Sequence, residues 1–165
     1  MNNFTIFQTE EETKLSIAVH QNAQICDVRL ARAKNVGDHP GIALKDTIAV
    51  SLEVKAKEID VPTGQLSVEV SFRLLGSRKE GQPKTRTVFC IECTFEVSYN
   101  LRPEFTPTVE QVKAFKDGNA IFNCWPYCRQ YVQEMMQRMG YHPLLLPFLR
   151  VQTKHRENRK LPKSE

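Results

Sequence analysis

Two cysteine pairs have the residue types and spacing that come nearest to a metal site. Cys90 and Cys93 form a C-x-x-C pattern, while Cys124 and Cys128 stand one helical turn apart with His142 downstream. In a strand, positions i and i+3 point to opposite faces, so the sulfurs of Cys90 and Cys93 cannot converge on one ion. The second pair lacks a fourth ligand, and we interpret its thiols as core residues. No metal site is expected.

The histidines provide no catalytic pattern either. His20, His39, His142 and His155 lie in unrelated contexts, and none accompanies a Ser or Cys in a way that suggests a triad. A glycine-rich phosphate-binding motif is also missing from the sequence. We therefore expect a protein that is not an enzyme, with no catalytic residue and no cofactor.

Length and charge favour one soluble domain. The 165 residues carry a net charge of +4, but residues 152–165 contribute five Lys/Arg against two Asp/Glu, so the body is nearly neutral and is no nucleic-acid platform. Neither a signal peptide nor a membrane-inserting stretch is predicted. Five cysteines, an odd number, favour reduced thiols and a cytoplasmic location. We predict a single domain over residues 1–151 and a basic, frayed tail over 152–165.

The first two thirds of the chain predict a short helix followed by four strands. Thr9 with Glu12 is a capping-box pattern, which marks the start of an N-terminal helix. Apolar and polar residues then alternate with a period of two, which is typical of strands that have one buried face and usually pair antiparallel. The four predicted strands cover residues 24–33, 48–57, 66–75 and 89–99. Turn-rich residues 35–41 connect the first two.

The last third predicts two helices and an apolar segment. Thr106 or Thr108 would cap a short helix that ends at Gly118, and a main helix would start close to Trp125, because Pro126 is tolerated in a first turn. An apolar stripe follows, and Gly140 is suited to the helix C-terminus. The predicted fold is therefore α+β, a four-stranded antiparallel sheet followed by a main C-terminal helix.

The leucine-rich segment (residues 143–148) contains more apolar surface than this fold can cover. One sheet has one apolar face, and that face must already accept the helix stripe. The surplus indicates a subunit interface, a groove for apolar ligands, or both.

At these residues the sequence resembles a known family. The motif Trp125-Pro126-Tyr127-x-Arg129, the long helix after it and the leucine-rich segment are similar to the C-terminal half of the SecB family of export chaperones. The pattern Gln24-Ile-x-Asp-Val-Arg-Leu30 and the preceding helix are closer to the SecB-like chaperones of toxin–antitoxin systems. The resemblance covers about residues 15 to 151.

The resemblance implies an ATP-independent holdase that binds unfolded or extended polypeptides in hydrophobic grooves. It also implies a homotetramer, a dimer of dimers, with clients that are unfolded chains or an antitoxin. Carried over position by position, it implies eight polypeptide-binding residues, from the loop after the first strand and from around the main helix: Val36, Ile42, Leu44, Phe122, Trp125, Leu144, Leu146 and Phe148.

One departure from the family concerns the export motor. Export-dedicated members carry an acidic patch on the sheet, whereas here Lys55, Lys57 and Arg73 are interleaved with glutamates, so docking on the motor is not favoured. Two functions of other classes stay open. A small-ligand-binding, hotdog-like α+β domain would require a closed pocket, and a basic-tailed nucleic-acid adaptor would show steep salt dependence.

Overall fold

The computed structural model describes residues 4–38, 48–59, 61–79 and 85–154. Six strands, three α-helices and one π-helical turn are found in these ranges. In chain order they are β1 (Phe4–Thr9), α1 (Glu10–His20), β2 (Ala23–Gly37), β3 (Ala49–Ile59), β4 (Gln65–Lys79), β5 (Thr85–Leu101), α2 (Val109–Phe115), the π-helical turn (Lys116–Ala120), α3 (Ile121–Arg138) and β6 (Leu149–Lys154).

The four predicted strands form one antiparallel sheet, as expected. Its order is β2-β5-β4-β3, so β3, β4 and β5 form a meander while β2 crosses to pair with β5. All four strands are longer than predicted, and β2 runs on to Gly37, through residues that we expected in the turn-rich connection. The apolar sets of β4 and β5 are buried against the helices, and we call this the inner face.

Two irregularities in β2 decide which of its residues reach the inner face. The register with β5 shifts between Ile25 and Asp27, and again between Leu30 and Arg32. A β-bulge inserts one unpaired residue and so moves the following side chains to the other face. As a result Leu30 lies opposite Phe95 on the inner face, whereas Val36 lies opposite Cys90 on the outer face.

The predicted N-terminal helix is present and begins where the capping box indicated. The Thr9 hydroxyl accepts from the Glu12 backbone N–H at 3.1 Å, and the Glu12 carboxylate accepts from the Thr9 backbone N–H at 2.8 Å. These reciprocal bonds satisfy amides that have no partner inside the helix.

A second, two-stranded sheet was not predicted. Strands β1 and β6 pair in parallel, with Phe4 opposite Leu149 and Thr9 opposite Lys154. Strand β6 continues to Lys154, past residue 152, where we predicted the tail to begin. The rest of the predicted tail, residues 155–165, lies outside the described residues.

The two predicted helices are joined rather than separated. Thr108 caps α2 through a capping box with Gln111, but the helical path does not end at Gly118, because the π-helical turn carries it into α3. Helix α3 starts at Ile121, so Pro126 lies inside it rather than in its first turn. Because Pro126 has no backbone N–H, the carbonyl of Phe122 lacks its usual hydrogen bond within the helix. Phe122 lies on the exposed side of α3, where water can donate to this carbonyl.

The end of α3 agrees with the sequence prediction. Gly140 has φ +79°, and the backbone N–H groups of Gly140 and Tyr141 donate to the carbonyls of Gln137 and Met136. This is a Schellman motif, which favours glycine because an L side chain is strained at positive φ. In the last turns of α3, Glu134 and Arg138 form an i,i+4 ion pair at 2.6 Å.

Helix α3 packs its apolar stripe on the inner face of the sheet. Cys128, Val132 and Met136 are buried there, and Cys124 and Cys93 join them in the same core. Burial raises the pKa of the Cys124 thiol to about 12, and contact with Cys93 raises that of Cys128 further. These neutral thiols act as apolar packing residues, as expected.

Candidate functional site

The motif at residues 125–129 fixes the leucine-rich segment to α3. Trp125 Nε1 donates to the carbonyl oxygen of Pro147 at 3.0 Å, and Arg129 Nε donates to that of Leu146 at 2.9 Å. The Arg129 guanidinium also lies 4.5 Å from the ring centroid of Phe148. Because residues 125 and 129 share one helix face, the two donors hold consecutive carbonyls of a segment that has no secondary structure.

An aromatic cluster lies behind this attachment. The ring of Phe4 stacks on Trp125 with a centroid separation of 5.1 Å, and Phe72 contacts the indole from the sheet at 5.9 Å. Strand β1 therefore covers a tryptophan that we had predicted to contact clients directly. In this chain Trp125 is 3% exposed.

Of the eight predicted binding residues, the structure describes six, and these differ in burial. Trp125 and Leu146 belong to the core, and Leu144 packs partly against it. Three others are exposed: Phe122 on α3, Phe148 in the leucine-rich segment, and Val36, which lies on the outer face of β2. Ile42 and Leu44 lie outside the described residues.

A continuous apolar surface occurs instead between the two sheets. An open cleft of about 710 Å³ separates β3 from β1 and from the start of α3. Its apolar lining consists of Phe4, Ile6, Leu52, Val54, Ala56 and Ile121, with Lys55, Lys57 and Asp117 at its border. Leu52, Val54 and Ala56 are half-exposed on this side of the cleft.

The strand beside this cleft is an edge of the sheet. β3 pairs with β4 on one side, and no strand pairs with its other side within the described ranges. Lys116 Nζ lies 3.5 Å from the carbonyl oxygen of Ala56, so the π-helical turn approaches β3 near its C-terminal end. A free strand edge presents unpaired amides and carbonyls, which can hydrogen-bond an extended chain.

The opposite end of the inner face is also incompletely covered. Ile25 and Leu30 on β2 are 45% and 46% exposed although both point inward, and Tyr127 on α3 is 45% exposed beside Phe95. Large apolar side chains left exposed together are typical of a surface that another protein covers.

The outer face is polar, and its glutamates are paired. Arg29 lies 2.5 Å from Glu96, and Arg73 lies 3.0 Å from Glu92. Arg32 contacts both oxygens of Glu69, at 2.8 and 2.7 Å, and this hydrogen bonding lowers the pKa of the Glu69 carboxyl. Because Glu69, Glu92 and Glu96 each have a guanidinium partner, these three carboxylates do not form a continuous acidic patch in the described part of this face.

The described residues contain no metal-binding constellation. Within residues 4–38, 48–59, 61–79 and 85–154, no group of three or more His, Cys, Asp or Glu is placed to hold an ion. Cys90 is half-buried and Cys93 is buried on the opposite face, as the strand period predicted. In the same ranges no helix combines the length and apolar character needed to cross a membrane.

Sequence reasoning missed the contribution of β1 to this site. Residues Phe4 to Phe7 are aromatic or β-branched and precede a capping box, which is a strand signal that could have been recognised. Its partner, β6, lies at the far end of the chain. No local pattern indicates such a long-range parallel pairing.

Comparison with known proteins supports the resemblance found in the sequence. No protein-family model matches the chain. The protein-export protein SecB of Rhodospirillum centenum is 33% identical over 89 residues, which are 54% of this chain and 52% of that protein. The chain thus matches about half the length of this curated relative.

A solved structure shares the fold. A SecB-like chaperone from Mycobacterium tuberculosis, in complex with a peptide from an antitoxin, matches with a TM-score of 0.73 and 23% identity, covering 82% of this chain and 96% of that chain. A protein of unknown function from Streptococcus agalactiae gives only 0.45 at 9% identity. The predicted resemblance to SecB proteins is confirmed, and the fold is SecB-like.

Proposed function

We propose that this protein is an ATP-independent chaperone that holds unfolded or extended polypeptides in the cleft between β3 and β1. The observation that supports it most is a free strand edge beside an open apolar cleft. Backbone bonding to an edge is independent of sequence, and apolar contacts tolerate many side chains, so such a site would bind many clients reversibly.

The likeness to SecB and to the mycobacterial chaperone supports the same function. The mycobacterial protein was solved with an antitoxin peptide, so an antitoxin is our preferred client for this chain as well. Exposed Phe122 and Phe148 would extend the contact surface around α3. Trp125 and Leu146 are buried and would act indirectly, because they support Phe4 and the rest of the leucine-rich segment.

The assembly that we propose is a homotetramer, a dimer of dimers. Its support is the uncovered end of the inner face at Ile25, Leu30 and Tyr127, where a second copy would complete the core. Light scattering on a sizing column should give four times the chain mass. A monomer at all concentrations would contradict the assembly.

Suppression of aggregation tests the function. A denatured model protein should stay soluble when diluted into substoichiometric tetramer, equally well with and without ATP. The variant Leu52→Ser/Val54→Ser removes apolar surface from half-exposed cleft positions and should protect less, with its oligomeric state unchanged. A matched control is Val36→Ser on the outer face, which should protect as well as the parent. Equal protection by the cleft variant would place the site elsewhere.

A further inference from the structure

Two exposed lysines without an ion-pair partner in the described ranges stand at the border of the cleft. Lys55 and Lys57 stand on β3 between the apolar residues that face the cleft, and they project toward the outer face. Within the described part of the chain, no carboxylate lies within 4.0 Å of either ammonium group. Both lysines are exposed.

Two of the nearby carboxylates, those of Glu69 and Asp117, already have other partners. Glu69 lies opposite Lys57 across the β3–β4 pair, but both of its oxygens accept from Arg32. Asp117, on the other side of the cleft, pairs with Lys116 at 3.1 Å. Glu53 lies 3.8 Å from Arg73, and exposed Glu58 follows Lys57 on β3, but neither forms an ion pair with Lys55 or Lys57 in the described part of the chain.

A strand added to the free edge of β3 would contact both the apolar lining of the cleft and the two lysines. Successive side chains of a strand point to opposite faces, so every second residue would enter the cleft beside Leu52 and Val54. The residues between them would stand beside Lys55 and Lys57. Opposite charges on neighbouring strands stabilise pairing, while like charges oppose it.

We infer that the cleft prefers extended segments in which apolar residues alternate with acidic ones. This inference rests on the proposed function and specifies its client class. Such a segment places its apolar side chains against the lining of the cleft and its carboxylates against Lys55 and Lys57. A segment with basic residues at those positions brings like charges together at the same edge.

Three synthetic peptides of the length of β3 test the preference. They alternate Leu with Glu, Leu with Ser and Leu with Lys, and their binding to the intact assembly is followed by fluorescence anisotropy. At about 50 mM salt the Glu peptide should bind at least about fivefold more tightly than the Lys peptide, and about 500 mM salt should remove most of the difference. Equal affinities at low salt would overturn the inference.

Charge reversal at Lys55 and Lys57 tests whether these residues cause the preference for acidic peptides. In Lys55→Glu/Lys57→Glu the order of the Glu and Lys peptides should invert, while Lys14→Glu, an exposed lysine on α1, should leave it unchanged. An unaltered order in the double variant would overturn the assignment to this edge. The Ser peptide should bind all three proteins alike.

The Ser peptide separates this inference from the proposed function. If it binds the parent and loses affinity in Leu52→Ser/Val54→Ser, the cleft holds polypeptides, and the charge preference is judged by the other two peptides alone. If none of the three binds, both proposals fail. If none binds and Leu52→Glu also dissociates the oligomer, the free edge belongs to a second copy of this chain.

Discussion

The indole of Trp125 donates to the carbonyl oxygen of Pro147 at 3.0 Å, and through this bond the main helix holds the leucine-rich segment in place. Arg129 adds a second bond and a stacking contact one turn later. The motif that suggested the family is thus explained by packing inside a single chain. Its residues orient the segment that leads into β6.

Arg129→Lys should destabilise the fold by about 1–2 kcal/mol, because an ammonium cannot keep both the bond to Leu146 and the planar stacking on Phe148. Urea unfolding measures the change. Arg138→Lys is the matched control, since the exposed pair with Glu134 should be worth less than about 0.5 kcal/mol. Equal effects of the two substitutions would contradict the structural role of Arg129.

The effect of Gly118→Ala on the free energy of unfolding should be opposite in the parent and in the Gln8→Ala variant. An alanine Cβ would lie 2.5 Å from Nε2 of Gln8, a buried side chain that donates to the carbonyl of Ala114. In the parent we expect destabilisation of about 1–3 kcal/mol from this overlap. With Gln8→Ala already present the overlap is gone, and Gly118→Ala should stabilise by up to about 1 kcal/mol through helix propensity. A stabilising effect in both backgrounds would contradict the close approach of β1 to the π-helical turn.

Much of the sheet could be predicted because its signals are local. The alternation of residues 48–57, 66–75 and 89–99 and the capping box at Thr9 depend on neighbours in sequence, and the structure confirms them. The π-helical turn and the β1–β6 pairing depend on long-range packing instead. Gly118 was interpreted as a helix end, whereas it allows the close approach of Gln8.

The candidate site was harder to predict than the fold. The family resemblance placed Trp125 and Leu146 in a groove, but the structure buries both in the core, with Phe4 stacked on the indole. The face of Val36 depends on two bulges in β2, which no residue pattern marked. Leu52 and Val54 were correctly assigned to a strand, yet their exposure follows from the place of that strand at the edge of the sheet.

Acid should weaken the N-terminal helix through Glu12. Hydrogen bonding from the Thr9 backbone lowers the pKa of the Glu12 carboxyl below its ordinary value of 4.5. A lowered folded-state pKa contributes stability that is present above the unfolded pKa and is lost as pH falls through the folded pKa. The advantage of the parent over Glu12→Gln in urea unfolding should therefore shrink below about pH 4.5. A pH-independent difference would contradict the ionic capping box.

Thiol reactivity should follow burial. Cys26 is exposed and should react first with a disulfide reagent, and half-buried Cys90 should follow more slowly. Cys93, Cys124 and Cys128 should react only in denaturant, because they are buried and the pKa values of Cys124 and Cys128 are raised. Rapid reaction of all five thiols in the native protein would contradict the core assignment.

Binding to an export motor should be weak or absent. The outer-face carboxylates of Glu69, Glu92 and Glu96 each pair with an arginine, so the field that would guide a basic partner is cancelled beyond about 8 Å at physiological salt. Calorimetry with the cognate motor should detect no complex tighter than about 1 μM, since strong docking of this kind needs a continuous charged patch. A nanomolar complex would show that the paired face still docks.

Methyl NMR of the intact assembly during titration with an unfolded client tests the central claim most directly. Methyl groups of Leu52, Val54 and Ile6 line the cleft, while those of Val36 and Leu75 lie on the outer face and serve as internal references. We expect the client to shift the three cleft residues and to leave both references unchanged. Shifts at Val36 and Leu75 without any at Leu52 and Val54 would contradict polypeptide binding between β3 and β1.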